Sequence, residues 1–370
     1  MTIVEGRQSA LERPDDLAAI VELAARVGRE VLAPRAAETD VGAAPPRENF
    51  AALVQAGLMG LSIPVRYGGL EADSSTCLEV LETLSRSCAA TAFLFTQHMG
   101  VCGSIAAGGS ALAPIMLPRL ATGELLVGIG ASQLRRAGSP QLRARRTDGG
   151  FFIDGSVPWA SGYGLMTHLV LGATNEDGLP MFFWVPFVPA EGISFGPVQD
   201  MVVMRAASTV PVRCEGLFVA DEAVIGDDQE GYWRSQHGGT LGNPMAFLLG
   251  IGAGCLDGLR AAAERDTDGF VLRSRLEALE AEWTVHRHRF YSLTHRFVEG
   301  DRGETVLDAL LATRVVVSAF VLRLAQIAIA AEGGRAHLRG NPAQRRLREA
   351  SFFLTATVNR SVREALVQGL

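Results

Sequence analysis

Residues able to carry chemistry are sparse in this chain. His286, His288 and His295 fall in one helical stretch. Positions 288 and 295 share a helix face while 286 and 288 point apart. No Cys or carboxylate completes a set at ligand spacing, so surface or interface histidines are expected and no metal site. Gly250-Ile251-Gly252-Ala253-Gly254 imitates a dinucleotide fingerprint. It lies inside an apolar helical run and not after a strand, and close helix packing explains it better. Gln97-His98 reads more readily as an inter-helix hydrogen bond than as a ligand contact, and no GxSxG elbow supports Ser-His-Asp catalysis. Gly130-Ala131-Ser132-Gln133 is a stretch of small residues that lets a ligand approach the backbone, and Trp159-Ala160-Ser161 offers a ring able to stack on a planar group. Taken alone, these two stretches read more readily as a turn and a core tryptophan.

The elements that must position such residues fall into three blocks. From about Glu124 to Gly226, short runs rich in β-formers are bounded by Gly, Pro, Asn or Asp. They are Phe151–Gly155, Thr167–Leu171, Met181–Pro186 and Val210–Cys214. Before this block, helices are expected over Asp15–Ala37, Glu48–Ala56, Thr76–Cys88 (capped by Ser74 or Ser75), Ala89–Gly108 and Leu112–Leu120. After it come Asn243–Arg265, Leu272–Val298, Thr305–Glu332 and a last helix from about Pro342 to Gln368, four long helices suited to an up-and-down bundle. The fold class is therefore mostly α with a central β domain. The boundaries are residues 1–122 for an N-terminal helical domain, 123–234 for a small antiparallel, barrel-like β domain, and 235–370 for a helical bundle. Ligands favour the seams between such blocks.

Bulk properties narrow the class. A length of 370 residues permits a large core, and 48% apolar with 20% charged residues is ordinary for a globular protein. The net charge of −6 argues against nucleic-acid binding. Five arginines between Arg335 and Arg348 are a local exception and read as a solvated helix face. Lysine is absent altogether. Cys77, Cys88, Cys102, Cys214 and Cys255 lack CxxC spacing, which fits buried thiols in a reducing cytoplasm. With Glu5 and Glu12 and no apolar run before Asp15, a signal peptide is not expected. Met245–Leu256 is too short to span a bilayer, and Thr305–Ala331 is interrupted by Asp308, Arg314 and Arg323, so no membrane partner is expected.

Several segments, in order, resemble the acyl-CoA dehydrogenase superfamily along nearly the whole chain. Gly57–Gly69 is similar to its GLLGL-IP-EYGG segment, and Leu117–Glu124 to its LP-LASGE segment. Trp159-Ala160-Ser161 stands at its W-I-S/T flavin contact. Met204–Thr209 resembles GxRxSxT. Gly333-Gly334, Asn341-Pro342 and Leu347–Ala350 resemble GGxG…YP…L-RDA. The resemblance implies a helical domain, a β domain and a four-helix bundle, with FAD between the last two. It assigns Ala131, Ser132, Gln133, Trp159, Ser161, Arg205, Gly333 and Gly334 to the cofactor, and Ser139 and Gln97 to the substrate. It further implies an acyl thioester on CoA or a carrier protein, an electron-transfer flavoprotein or homologous subunit as partner, and a homodimer or homotetramer.

The pattern also departs from the family. Its catalytic base is a Glu just after RDA, tuned by burial; here Thr357 stands at that position, followed by Val358 and Asn359. The alternative base position is empty as well, because Ser235–Leu256 holds no Asp or Glu. The pyrophosphate arginine of RxxFG is missing, with Arg265 a weak substitute. Ala330 replaces a Gln, and of the TEPxAGSD loop only Ala137-Gly138-Ser139 survives. Three readings follow: an FAD-dependent α,β-dehydrogenase of acyl thioesters, a flavin monooxygenase that needs no such Glu, or a non-catalytic subunit completing a site with an active homologue.

Overall fold

The structure, a computed structural model, describes residues 17–108, 111–135, 138–225, 229–265 and 270–370. The expected helix start at Asp15, Ala137 of the surviving loop motif and positions 266–269 lie outside them.

The first helix, α1 (Leu17–Val27), buries Ile20, Ala24 and Val27, three positions of the expected apolar face. It passes without a break through a π-turn at Gly28–Leu32 into α2 (Ala33–Val41). Pro34 has no N–H to give the ladder, and the widened turn before it accommodates the lost bond. Gly28 is required there, since a Cβ would meet Ser87 Oγ at 2.8 Å. Helix α3 (Arg47–Gln55) ends at Gly57, whose φ of 69° needs glycine. The double glycine closes a tight turn: a Cβ on Gly69 would meet the Ile63 carbonyl oxygen at 2.0 Å. Helix α4 (Ser74–Ser87) is capped by Asp73, not by Ser74 or Ser75, because the Asp73 carboxylate accepts from the Thr76 N–H at 2.7 Å. Helices α5 (Ala89–Ala107) and α6 (Ala113–Ala121) complete this part.

Seven strands form one curled sheet: β1 (Val127–Gly130), β2 (Leu142–Thr147), β3 (Gly150–Ala160), β4 (His168–Thr174), β5 (Pro180–Pro186), β6 (Ile193–Phe195) and β7 (Val210–Ala220). The order is β1-β4-β2-β3-β7-β6, with β5 on β4. All four expected runs are strands. The sheet is not wholly antiparallel, however. β1 runs parallel to β4 with Val127 opposite His168, and β2 touches β4 in parallel at Arg143 and Thr174.

Helices α7 (Gln229–Arg265), α8 (Phe270–Val298) and α9 (Glu304–Glu332) pack on one another. The expected last helix is two, α10 (Pro342–Phe352) and α11 (Arg360–Gly369). Arg314, fully buried on α9, donates to the carbonyls of Phe353 and Ala356 at 3.3 and 3.0 Å and of Thr357 at 3.3 Å. Thr357 turns with φ 51°, and the Asn359 side chain caps α11 by accepting from the Val362 N–H. The buried guanidinium holds the helix-end carbonyls and so ends α10. Leu241–Arg265 and Glu304–His337 are long and apolar enough to cross a membrane by length and composition, contrary to the expectation from shorter runs. The first is mostly buried, with α7 packed against α4 and α9.

Candidate functional site

The β1 strand reads Val-Gly-Ile-Gly, and its glycines set how close the neighbouring chain comes. A Cβ on Gly128 would stand 3.0 Å from the Ser161 carbonyl oxygen, and one on Gly130 would press on Leu171 at 3.3 Å. The strand leads through buried Ala131 into a 3-10 turn, Ser132–Arg135. Gln133 is buried, and its Nε2 donates to the Gly172 carbonyl at 2.6 Å. Its Oε1 and the Ser132 Oγ are buried with no hydrogen-bond partner among the described residues. Native proteins rarely leave such atoms unmatched, so orphans on two consecutive residues mark this turn as a candidate for a polar ligand.

Around this turn the structure gathers other expected residues. Trp159, near the end of β3, is 41% exposed and is not a core residue. Ser161 is buried, its Oγ 2.9 Å from Thr209 Oγ1. The Gly162 and Tyr163 N–H groups donate to the Ala207 and Ser208 carbonyls at 2.7 and 3.2 Å. The Arg205–Ala207 turn is therefore tied to the chain after Trp159. Arg205 pairs with exposed Asp200 at 3.3 Å. Met204 and Ser208 flank the turn at φ 56° and 46°.

Other expected residues are placed elsewhere. Gly333 ends α9 with φ 60°, and Gly334 follows it; a Cβ on either would meet nothing within 4 Å. Arg265, weighed for a pyrophosphate role, pairs with Glu332 at 2.6 Å beside these glycines. Ser139 is exposed, and Gln97 is half-buried on α5. The neighbour of Gln97 matters more. His98 is fully buried; it lies 3.2 Å from the Met59 carbonyl oxygen through Nε2, and its Nδ1 accepts from the Val127 N–H at 3.4 Å. It thus joins a turn of the helical domain to the strand that carries the Ser132 turn. Burial pushes its pKa down to about 4, against the opposing pull of backbone acceptors. The neutral ring, with the proton on Nε2, satisfies both bonds.

The turn at Thr357 is built differently. The Thr357 hydroxyl donates to the Ala356 carbonyl at 2.7 Å, and its own carbonyl accepts from Arg314. Burial pushes the Arg314 pKa down to about 10, still a cation at neutral pH. An aromatic cluster backs the turn: Phe247 stacks on Phe353 at 4.5 Å, and Phe93 meets Phe352 edge-on at 5.2 Å. Arg314 escaped sequence reasoning. Its one signal is an arginine inside the apolar run 305–331. His286 packs its ring against Phe320, and exposed His295 pairs with Glu299.

Residues 14–124 match the family model for the acyl-CoA dehydrogenase N-terminal domain. The mitochondrial isovaleryl-CoA dehydrogenase of Oryza sativa subsp. japonica is 23% identical over 92% of this chain and 88% of that one. Butyryl-CoA dehydrogenase from Megasphaera elsdenii superposes with a TM-score of 0.83 at 19% identity, covering 99% of both chains. The chain belongs to the acyl-CoA dehydrogenase superfamily. The superfamily fold is shared with dibenzothiophene monooxygenase TdsC from Paenibacillus sp. A11-2, at a TM-score of 0.80, 17% identity and 95% and 96% coverage. The Thr357 hydroxyl cannot abstract a proton near neutral pH.

Proposed function

We propose that this chain is an FAD-binding oxidoreductase of the acyl-CoA dehydrogenase type, acting on an acyl thioester carried by CoA or a carrier protein, by α,β-dehydrogenation. The observation that carries this reading is the pair of buried, unpartnered atoms, Ser132 Oγ and Gln133 Oε1, on the turn that follows β1. Each costs about 1–3 kcal/mol while unmatched, and a flavin's polar edge would supply both partners. Ala131 lets that edge approach the backbone, and half-exposed Trp159 offers a face for the ring system. When bound, the flavin supplies a hydride acceptor. The chain's own share is to bind and orient it and to hold the thioester beside it.

A second reading rests on Thr357. Its hydroxyl and carbonyl are both engaged inside the protein, so the position offers no base. A subunit that contributes half a site to an active homologue fits this arrangement, as does oxygen chemistry that needs no carboxylate. The test is the visible spectrum of the purified chain before and after adding FAD. Near-stoichiometric bound flavin supports the enzyme readings, and bleaching by acyl-CoA without oxygen then selects dehydrogenation. Oxygen uptake driven by reduced flavin selects the monooxygenase. No flavin in excess FAD sinks both and leaves the partner subunit, which would turn yellow only with its homologue.

A further inference from the structure

A second cavity-bearing region lies far from the Ser132 turn in the chain, where α2, α4, α7, α8 and the start of α10 meet. The cavity has a volume of about 580 Å³, and its walls include Arg86, Asp257, Trp283, Arg345 and Arg346, with exposed Ala37 of α2 at its edge. That volume lies in the range of small-molecule sites, roughly 300–1,000 Å³.

Its charge is unbalanced. The Nε atoms of Arg345 and Arg346 are both buried with no hydrogen-bond partner among the described residues, and Arg345 is only 4% exposed. Two of the acids around them, Asp257 and Glu82, are engaged by other groups. Asp257 accepts from Arg86 at 2.6 and 2.7 Å and from Arg260 at 2.7 Å. Glu82 accepts from Arg287 and Tyr291, each at 2.7 Å. Glu349 forms a buried ion pair with Arg345 at 3.7 Å, too long for a hydrogen bond to its Nε. Arg346 is left with no ion-pair partner among the described residues. Burial pushes its pKa down, and the neighbouring Arg345 cation adds to this, against the opposing pull of Cys255, Glu349 and Asp257.

The fold makes room for that cation. A Cβ on Gly254 would stand 2.7 Å from Arg346 Nε, and one on Gly258 would stand 3.4 Å from its Nη1. The glycine run that imitates a dinucleotide fingerprint is thus a track on α7. Gly250 admits the α4 backbone, with Glu82 O at 2.1 Å, and Gly254 admits the guanidinium. Gly340 and Pro342 bring the N-terminal end of the eleven-residue helix α10 to the same wall, where its dipole favours an anion.

We propose that this cavity binds a phosphate-bearing small molecule of nucleotide size, with Arg345 and Arg346 as the anion contacts and Trp283 as a wall for the rest of the ligand. A planar guanidinium pairs bidentately with phosphate, and the space exceeds what phosphate alone would fill. The site is independent of the flavin reading, because none of its residues belongs to the Ser132–Trp159 region.

The test uses the full chain in calorimetry, with sodium phosphate against sodium chloride at equal ionic strength, and with ADP. Phosphate is expected to raise Tm by roughly 3–5 °C at a hundredfold excess over its Kd. ADP is expected to bind at least about tenfold more tightly than phosphate. Arg346→Gln is expected to weaken both by about tenfold or more while leaving the FAD difference spectrum unchanged. Ala37→Glu, an exposed change that adds a competing carboxylate at the edge, is expected to do the same and decides the matter should Arg346→Gln fail to fold. ADP binding no tighter than phosphate would assign the site to free phosphate. The proposal is overturned if phosphate and chloride give equal Tm and ADP gives no heat, or if both variants keep the wild-type Kd.

Discussion

Two turns on this molecule differ in what they leave open. After β1, Ser132–Arg135 buries two polar atoms that find no partner. After α10, Phe353–Asn359 closes on itself, with carbonyls held by Arg314, the Thr357 hydroxyl on Ala356, and Asn359 capping the next helix. A turn with unmatched groups is suited to receive a ligand; a turn with matched groups is suited to hold shape. The first turn is thus the one suited to a ligand, while the Thr357 hydroxyl of the second is occupied within the protein.

The contrast breaks most visibly at Arg314. Replacing it with Met would leave the Phe353, Ala356 and Thr357 carbonyls without their donor, at a cost of about 3 kcal/mol or more. A fall in the urea midpoint at unchanged m-value would register it, and an unchanged midpoint would mean that the turn holds without the guanidinium.

Nearly as large is the acid response of His98, which anchors the strand before the first turn. Its pKa in the folded chain, about 4, lies below its ordinary 6.5, so the unfolded chain binds the extra proton first. The stability that neutral His98 provides is complete above about pH 6.5 and is lost as pH falls toward 4, by up to about 3 kcal/mol. Urea midpoints at several pH values should show this slope in the wild type and a shallower one in His98→Gln. Equal slopes would assign the acid sensitivity to other groups.

Next comes the pair Ser132→Ala and Gln133→Leu. Ser132→Ala removes only an unmatched atom and should leave the flavin-free chain as stable or slightly more so. Gln133→Leu also takes the donor from the Gly172 carbonyl and should cost about 1 kcal/mol. Each should weaken FAD by about tenfold, or about 1.4 kcal/mol. Loss of stability with unchanged FAD affinity would reverse the roles assigned to this turn. The smallest effect is expected at Thr357→Gly. Relief of a β-branched residue at φ 51° should stabilise the chain by about 0.5 kcal/mol and leave acyl-CoA turnover unchanged. A clear drop in turnover would restore Thr357 to the chemistry.

Much of the architecture was legible because each block keeps a single hydrophobic period. β4 and β5 lie in runs of apolar β-formers, and both are strands. β1 was hidden by its glycines, β2 by four polar residues in six, and β6 by its three-residue length. The break between α10 and α11 was invisible locally, since Phe352, Phe353, Leu354 and Ala356 continue an apolar helical pattern. The break is enforced by Arg314, some forty positions earlier. Residue types at the first turn could be picked from motif resemblance, but their unmatched state could not. Hydrogen-bond satisfaction depends on what the fold brings near, as with Gly172 beside Gln133.

The π-turn at Gly28–Leu32 carries a consequence for how this chain tolerates change in length. One residue added to a helix rotates everything beyond it by about 100°, so α1 and α2 are two registers joined by a phase shift. Ahead of it, Ala24 and Val27 face the core; beyond it, Asp40 meets Arg348 at 2.5 and 2.8 Å. A single-codon deletion here would give a smoother helix, yet it would swing Asp40 out of line with Arg348 and unhook the N-terminal helices from α10. Irregularity at this point is what keeps two distant parts of the chain in step.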